Sequence, residues 1–278
     1  MSSPGLLSHW LNTRGLDSRG FRAIIQYSHL MKMPQHNYAL IGDVHSQPGP
    51  LLEALDHCYN NKLTPILLGD LFDSRCDTSD SVAVYKAVRE AQESLPGMVV
   101  LRSNHQDKLE RYLKGNNVRI FQDLRQTLSD FEKGGIDTKG ELLPWLLSFP
   151  YGIVFRDSAG VEYRCSHACF PSQMEIPAYD GHYLVKEASR KERDLMMFGP
   201  SYSTPGGPNE RVYWWNKEPN RTWVRVAGHY HAIHISDYSL VLDGQMGGSS
   251  RDPVPVSEMN LCLYDVECKS LKLFSLVP

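Results

Sequence analysis

Nine residues with metal-binding or proton-transfer chemistry fall in five places along the chain. Asp43 and His45 follow YALI, Asp70 and Asp73 follow PILL, and Asn104 and His105 follow MVVL. His167 follows VEYRC, and His229 with His231 follows WVRVA. Carboxylate, amide oxygen and imidazole are donors of intermediate hardness that suit Mn, Fe or Zn better than Ca or Cu(I). A carboxylate such as Asp70 can bridge two cations about 3.5–4 Å apart, the spacing of two-metal hydrolases. Cations so placed acidify a shared water, hold it as hydroxide and polarise phosphoryl oxygens for in-line attack. No nucleophilic Ser or Cys is needed, so the pattern implies a dinuclear centre acting on phosphate esters.

Such residues can meet only if the preceding runs are strands of an α/β sheet, where ligands collect beyond the carboxyl ends of the strands. The apolar pattern predicts strands near 38–42, 65–68 and 98–102, with helices over 48–61 and 79–94 between them. Units of this size imply parallel pairing and right-handed crossovers. Residues 106–148 read as helical, broken around Gly134-Gly135 and by Pro144, and could form a small insert over the site. From 152 onward short strands take over: GIVFR, VEYRC, TWVRVAG, SLVLD, NLCLYDV and SLKLFSLV, with Asp157, Gly160 and Lys269 at turns.

With motifs and strand context in place, the chain resembles the calcineurin-like metallophosphoesterases. The likeness rests on GDVH at 42–45, GDLFD at 69–73, SNH at 103–105, the SHA histidine at 167 and GHYH at 228–231, and it spans roughly 38–270. It implies a four-layer αββα sandwich of two mixed sheets flanked by helices. It also implies that Asp43, His45 and His231 hold one ion, that Asn104, His167 and His229 hold the other, and that Asp70 bridges. The expected cofactor is a pair of divalent ions, Mn first, with Fe, Zn, Ni or Mg as alternatives. His105 would be the general acid, oriented by Asp73, since a neighbouring carboxylate keeps a histidine protonated near neutrality. Asp73 could instead cap the following helix.

Some details look like the phosphoprotein-phosphatase branch and the phosphatase module of bacterial polynucleotide kinase-phosphatases, among them LRSNHQDKLERYLKGN, the aromatic cluster before GHYH, and LVLDGQMGG. In that comparison Arg102 and Arg75 are the expected phosphate contacts. Departures bear on substrate: Ser103 and Gln106 replace the usual Gly and acidic residue around Asn-His, and Asp73-Ser74-Arg75 replaces Asp-Arg-Gly. GHYH is closer to the wider superfamily than to that branch. Three functions follow: hydrolysis of phosphate monoesters on a phosphoprotein, nucleotide or nucleic-acid end; a phosphodiesterase or nuclease; and a non-catalytic protein-binding scaffold. The complete ligand set and the Asp73–His105 pair favour the first.

Bulk properties agree with an enzyme domain. At 278 residues with 41% apolar and 22% charged content, one α/β domain over 38–278 is expected, behind an N-terminal extension over 1–37. A net charge of -3 gives no broad nucleic-acid surface, and Arg102, Lys108, Arg111, Lys114 and Arg119 read as a solvated helix face. The six cysteines lack metal or redox pairing, and neither a leader nor a membrane-spanning run is evident, so reduced thiols in the cytoplasm are expected. Residues 171–223 read as variable loops near the site. Their aromatics Tyr202, Tyr213, Trp214, Trp215 and Trp223 are expected mainly in packing, with stacking on a base as the alternative.

Overall fold

A computed structural model describes residues 37–202 except 75 and 77, together with 210–216, 222–246 and 259–275. The N-terminal extension therefore lies outside the described residues apart from Asn37. The first half runs β1 (Tyr38–Ile41), α1 (Pro48–Asn61), β2 (Thr64–Leu67), α2 (Ser81–Ser94) and β3 (Val99–Val100). Helices α3 (Asn104–Leu113), α4 (Gln122–Lys133) and α5 (Leu143–Leu147) follow. Then come β4 (Gly152–Arg156), β5 (Glu162–Ser166), β6 (His182–Val185) and α6 (Arg190–Phe198). The short β7 (Ser201–Tyr202) and β8 (Glu210–Arg211) precede β9 (Trp223–Ala227), β10 (Ile233–Ile235) and β11 (Ser239–Leu242). The chain closes with β12 (Asn260–Asp265) and β13 (Ser270–Ser275).

Strands that are apolar on both faces dictate the layering. In β1, Ala39 and Ile41 enter one buried cluster with α1 and α2, while Tyr38 and Leu40 enter a second. Leu261 and Leu263 of β12 side with Ala39 and Ile41, and Cys262 and Tyr264 with Tyr38 and Leu40. A strand buried on both sides needs a layer over each. The first sheet has order β13-β12-β1-β2-β3, with β1, β2 and β3 parallel and β12 antiparallel to β1. The second has order β10-β11-β9-β5-β4-β6 and packs Ile153, Phe155, Tyr163, Val224, Val226, Leu240 and Leu242 against the first. Both sheets are mixed, as the resemblance implies. The outer cover of the second sheet is thin, formed by α6 through Met196 and Met197 and by the turn carrying Trp214.

Local sequence explains the helix ends. Pro48 opens α1, whose buried Leu51, Ala54, Leu55 and Cys58 recur at helical spacing, and Lys62 closes it at φ 57°. Helix α2 begins at Ser81 and is capped by Asp80, whose side chain accepts from the Ala83 amide at 2.9 Å. Asp73 is therefore not that cap. Helix α3 starts directly at Asn104, with Ser103 accepting from the Gln106 amide at 3.4 Å. Gly134 ends α4 and Pro144 lies in the first turn of α5, so the expected breaks fall at helix boundaries. Helices α4 and α5 pack in the outer layer through Phe131 and Trp145 against Tyr85 of α2. The stretch read as loops over 171–223 contains β6, antiparallel to β4, and α6 with a Ser189–Glu192 capping box. No helix among the described residues is long and apolar enough to cross a membrane.

Candidate metal centre

Every expected ligand sits just after a strand or at the start of α3. Asp43 and His45 follow β1, Asp70 and Asp73 follow β2, and Asn104 begins α3 after β3. His167 follows β5, and His229 with His231 follow β9. Sharp turns aim these side chains back across the strand ends. His45, Asp70, Asp73, His229 and His231 all have positive φ, between 41° and 70°. That conformation costs each non-glycine residue about 1–3 kcal/mol and persists only where surrounding contacts hold it. Two glycines give the room. A Cβ on Gly69, at φ 117°, would lie 2.9 Å from His167 Nδ1, and one on Gly228 would land on Asp43 Oδ1.

Asp70 is shared by two groups of ligand atoms, Asp43–His45–Asp70 and Asp70–His167–His229, each with its atoms within 4.8 Å of one another. All five residues are buried. Asn104 joins the second group, its Oδ1 lying 2.7 Å from His167 Nε2. His231 lies at the exposed rim and belongs to neither close group, its backbone amide donating to Asp243 Oδ2 at 2.6 Å. Two imidazoles have their tautomers set by backbone carbonyls. His167 Nδ1 faces Leu68 O at 3.0 Å, and His45 Nδ1 faces Asp73 O at 2.9 Å. A nitrogen that donates there leaves Nε2 as the electron-pair donor, the second-shell pattern of metal-bound histidines.

The cluster is short of positive charge. His167 Nε2 meets Asn104 Oδ1 at 2.7 Å, His229 Nδ1 at 3.0 Å and Asp70 Oδ2 at 3.4 Å, three potential ligand atoms crowded round one nitrogen. Asp43 Oδ1 and Asp70 Oδ1 are buried without a hydrogen-bond partner among the described residues. Buried carboxylate oxygens rarely go unpartnered, so these donors fit divalent cations. Protonation follows the same logic. Burial, with Asp243 and Asp70 nearby, pushes the Asp43 carboxyl well up. Burial also opposes charge on Asp70, but His167, His105 and His45 outweigh it and hold that carboxyl low. Burial drives His229 well below its usual value, helped by His167 and Arg211, and lowers His45 as well, both toward the neutral form a ligand needs.

His105 stands apart from the ligand set. Its Nδ1 lies 2.8 Å from Asp73 Oδ2, and its Nε2 reaches to 3.9 Å from Asp70 Oδ2. Thr127 of α4 donates to Asp73 Oδ1 at 2.8 Å and accepts from the Asp73 amide at 3.2 Å, fixing the carboxylate. Burial opposes the imidazolium, yet Asp70 and the Asp73 bond prevail and raise His105 to about 9.

Around this centre, Arg102 is buried and paired with Glu110, and it donates to Tyr151 Oη at 2.9 Å. Arg75 lies outside the described residues. Three features escaped the sequence reading. Asp243, after β11, secures the amides of His231 and Gln245 at 2.6 and 2.9 Å. Arg211 of β8 donates to the His229 carbonyl at 3.0 Å. Thr127 lies 54 residues from the Asp73 it fixes. Of the basic residues expected on a solvated face, Arg111, Lys114 and Arg119 are exposed and Arg102 is buried; Lys108 and Arg119 lie over the Phe121 ring and Lys114 pairs with Glu110. Trp214 is buried and donates to Ala168 O, Trp223 is flanked by Arg164 and Arg225, and Tyr213 is exposed, so packing accounts for both tryptophans. All six cysteines are free thiols.

No family model and no curated protein matches the chain. Among solved structures it is similar to a candidate diadenosine tetraphosphatase at 15% identity and TM-score 0.55, covering 88% of this chain and 96% of that one. It is also similar to a cold-active protein tyrosine phosphatase at 16% identity and TM-score 0.49, over 87% of this chain and 80% of that one. A cold-active protein-tyrosine phosphatase of a psychrophilic Shewanella gives 15% identity and TM-score 0.48, over 87% and 83%. The first likeness establishes a shared fold, which is consistent with the metallophosphoesterase resemblance carried by the motifs.

Proposed function

We propose that the protein is a metal-dependent phosphoesterase that hydrolyses phosphate monoesters at a dinuclear centre, with Mn as the preferred ion. The observation that carries this reading is Asp70, buried, unpartnered at Oδ1 among the described residues and common to two close groups of Asp and His donors. Asp43, His45 and His231 would hold one ion and Asn104, His167 and His229 the other, with Asp70 available to both. When bound, two divalent ions supply a water acidic enough to react at neutral pH and positive charge against the phosphoryl oxygens.

The chain's own groups do the rest. His105, charged through Asp73 and Asp70, presents Nε2 to the leaving oxygen and gives it a proton. Asp73, held by Thr127, keeps the ring oriented. Leu68 O and Asp73 O keep His167 and His45 in the tautomer that donates through Nε2. Arg211, beside His229, supplies a cationic contact for the phosphate. The Asp73–His105 pair speaks against a purely binding role, since a scaffold needs no oriented acid.

The test is hydrolysis of p-nitrophenyl phosphate and of its bis-ester by metal-stripped protein titrated with Mn²⁺. Mn-dependent turnover favouring the mono-ester is expected. Preference for the bis-ester would make it a phosphodiesterase, and no turnover with any divalent ion would defeat the enzymatic reading.

A further inference from the structure

A cavity of about 630 Å³ opens between α3 and α6. Three features relate it to the residues that neighbour the metal ligands. Tyr151 in its wall bonds Arg102, two residues before Asn104. Gly199 in its wall lies so close to Tyr230, which separates His229 from His231, that a Cβ there would land on Tyr230 Oη. Asp107 and Arg111 come from α3 itself, three and seven residues after Asn104, so all three share one helix face. A rise of 1.5 Å per residue places the Arg111 backbone about 10 Å along the axis from Asn104. Its side chain leans back toward the helix N-terminus.

The lining is cationic. Arg111, Arg190, Lys191 and Arg193 face two carboxylates, Asp107 and Asp194, for a formal balance of 4 − 2 = +2. Asp107 lies 3.9 Å from Arg111, and Asp194 lies 3.8 Å from Arg190. Lys191 and Arg193 have no ion-pair partner among the described residues; Arg193 donates to Tyr151 Oη at 3.5 Å and lies over that ring. Phe198, 43% exposed, adds an apolar face. Guanidinium forks match phosphate oxygens, and an exposed ring accepts a flat or sugar-like body.

We infer that this cavity is a leaving-group subsite, and that the preferred substrate is a small bisphosphorylated molecule whose second phosphate sits in it. The inference rests on the phosphoesterase reading above. One phosphate meets the metal centre, and the leaving group runs out past His105 along the α3 face. The second phosphate meets Arg111 about 6–10 Å away, given the helix rise and the reach of that side chain, and Lys191 in the same cavity wall. In the reaction, the oxygen of water bonds to phosphorus, the P–O ester bond breaks, and the leaving oxygen takes a proton. The products are inorganic phosphate and a monophosphorylated alcohol.

The experiment compares kcat/KM for two matched pairs, thymidine 3′,5′-bisphosphate with thymidine 5′-monophosphate, and fructose 1,6-bisphosphate with fructose 6-phosphate. The wild type should favour the bisphosphate of at least one pair by about tenfold, the usual weight of a charge-assisted phosphate contact. Which pair shows it tells a nucleotide source from a sugar source. In an Arg111→Ala, Lys191→Ala double variant, whose side chains are exposed, the advantage should shrink below about twofold. Damage to the fold or the metal centre would lower both members of a pair together and leave the ratio unchanged. No bisphosphate advantage in either pair, or an advantage that survives the double variant, overturns the inference. If no ester is turned over, the phosphoesterase reading fails separately. Equilibrium binding of the same pairs by calorimetry then decides, with a variant-sensitive preference for a bisphosphate in support and equal affinities against.

Discussion

Replacing Asp73 by Asn isolates the proton donor from the metal ligands. The carboxylate meets His105 Nδ1 at 2.8 Å through Oδ2, while Oδ1 accepts from Thr127 at 2.8 Å. An amide keeps the shape. Its oxygen can still accept from His105, and its NH2 can donate to Thr127 Oγ1. The loss is charge: a hydrogen bond to an ionised group contributes about 1.5–3 kcal/mol against about 0.5–1.5 for a neutral one. The difference, about 1–1.5 kcal/mol, equals about one pH unit in the titration of His105. Because His105 is raised to about 9 without bound ions, its protonated form is present below that value and lost as pH rises through it. Cations at Asp70 cancel part of that carboxylate's attraction, which places the limb of the loaded enzyme lower and makes Asp73 the main support. The assay is the pH profile of kcat/KM for phenyl phosphate, a poor leaving group, alongside metal content. In Asp73→Asn the alkaline limb should move about one unit toward acid with metal content preserved. A limb that stays in place while the metals are retained would refute His105 as the acid held by Asp73.

Three further outcomes are expected. Asp70→Asn should fail to retain a stoichiometric metal complement by elemental analysis and should lose Mn-dependent turnover, because both ligand groups share this carboxylate. Gly228→Ala should weaken Mn²⁺ binding by about 10–100-fold, since the added Cβ falls on Asp43 Oδ1 and displaces a ligand as loss of a supporting contact would. Arg211→Ala should raise KM for p-nitrophenyl phosphate by about tenfold, as expected for one charge-assisted phosphate contact, with metal stoichiometry unchanged.

The metal side of this site was readable in sequence because each ligand follows a run whose strand character is local. YALI, PILL and VEYRC predict their strands within a residue or two, and helix α1 falls at 48–61 as expected. What sequence could not give were contacts made across the fold. Asp243 reaches the His231 amide from a neighbouring strand end, and Thr127 reaches Asp73 from a helix 54 residues away. Capping a helix was the lesser alternative for Asp73, and the structure separates the two roles: Asp80 binds the Ala83 amide, while Asp73 meets His105 Nδ1 at 2.8 Å. In 171–223 a local signal was present and unused, since Ser189 and Glu192 stand at capping-box spacing before α6. β6 gave no such signal. HYLV is half-exposed at three of four positions, and it is a strand because β4 offers it an open edge.

The order of strands in the first sheet bears on how the protein comes off the ribosome. β1 lies between β2, made next, and β12, made more than two hundred residues later; the Gly42 amide bonds Cys262 O at 2.9 Å. Until the last strands emerge, one edge of an all-apolar strand has no neighbour, and the whole second sheet must be synthesised in the interval. Exposed apolar edges recruit other chains, and long-range pairing is slow. Nascent chains stalled before β12 are thus the species most exposed to aggregation, and a chaperone holding β1 until residue 265 has appeared would act where the topology is weakest.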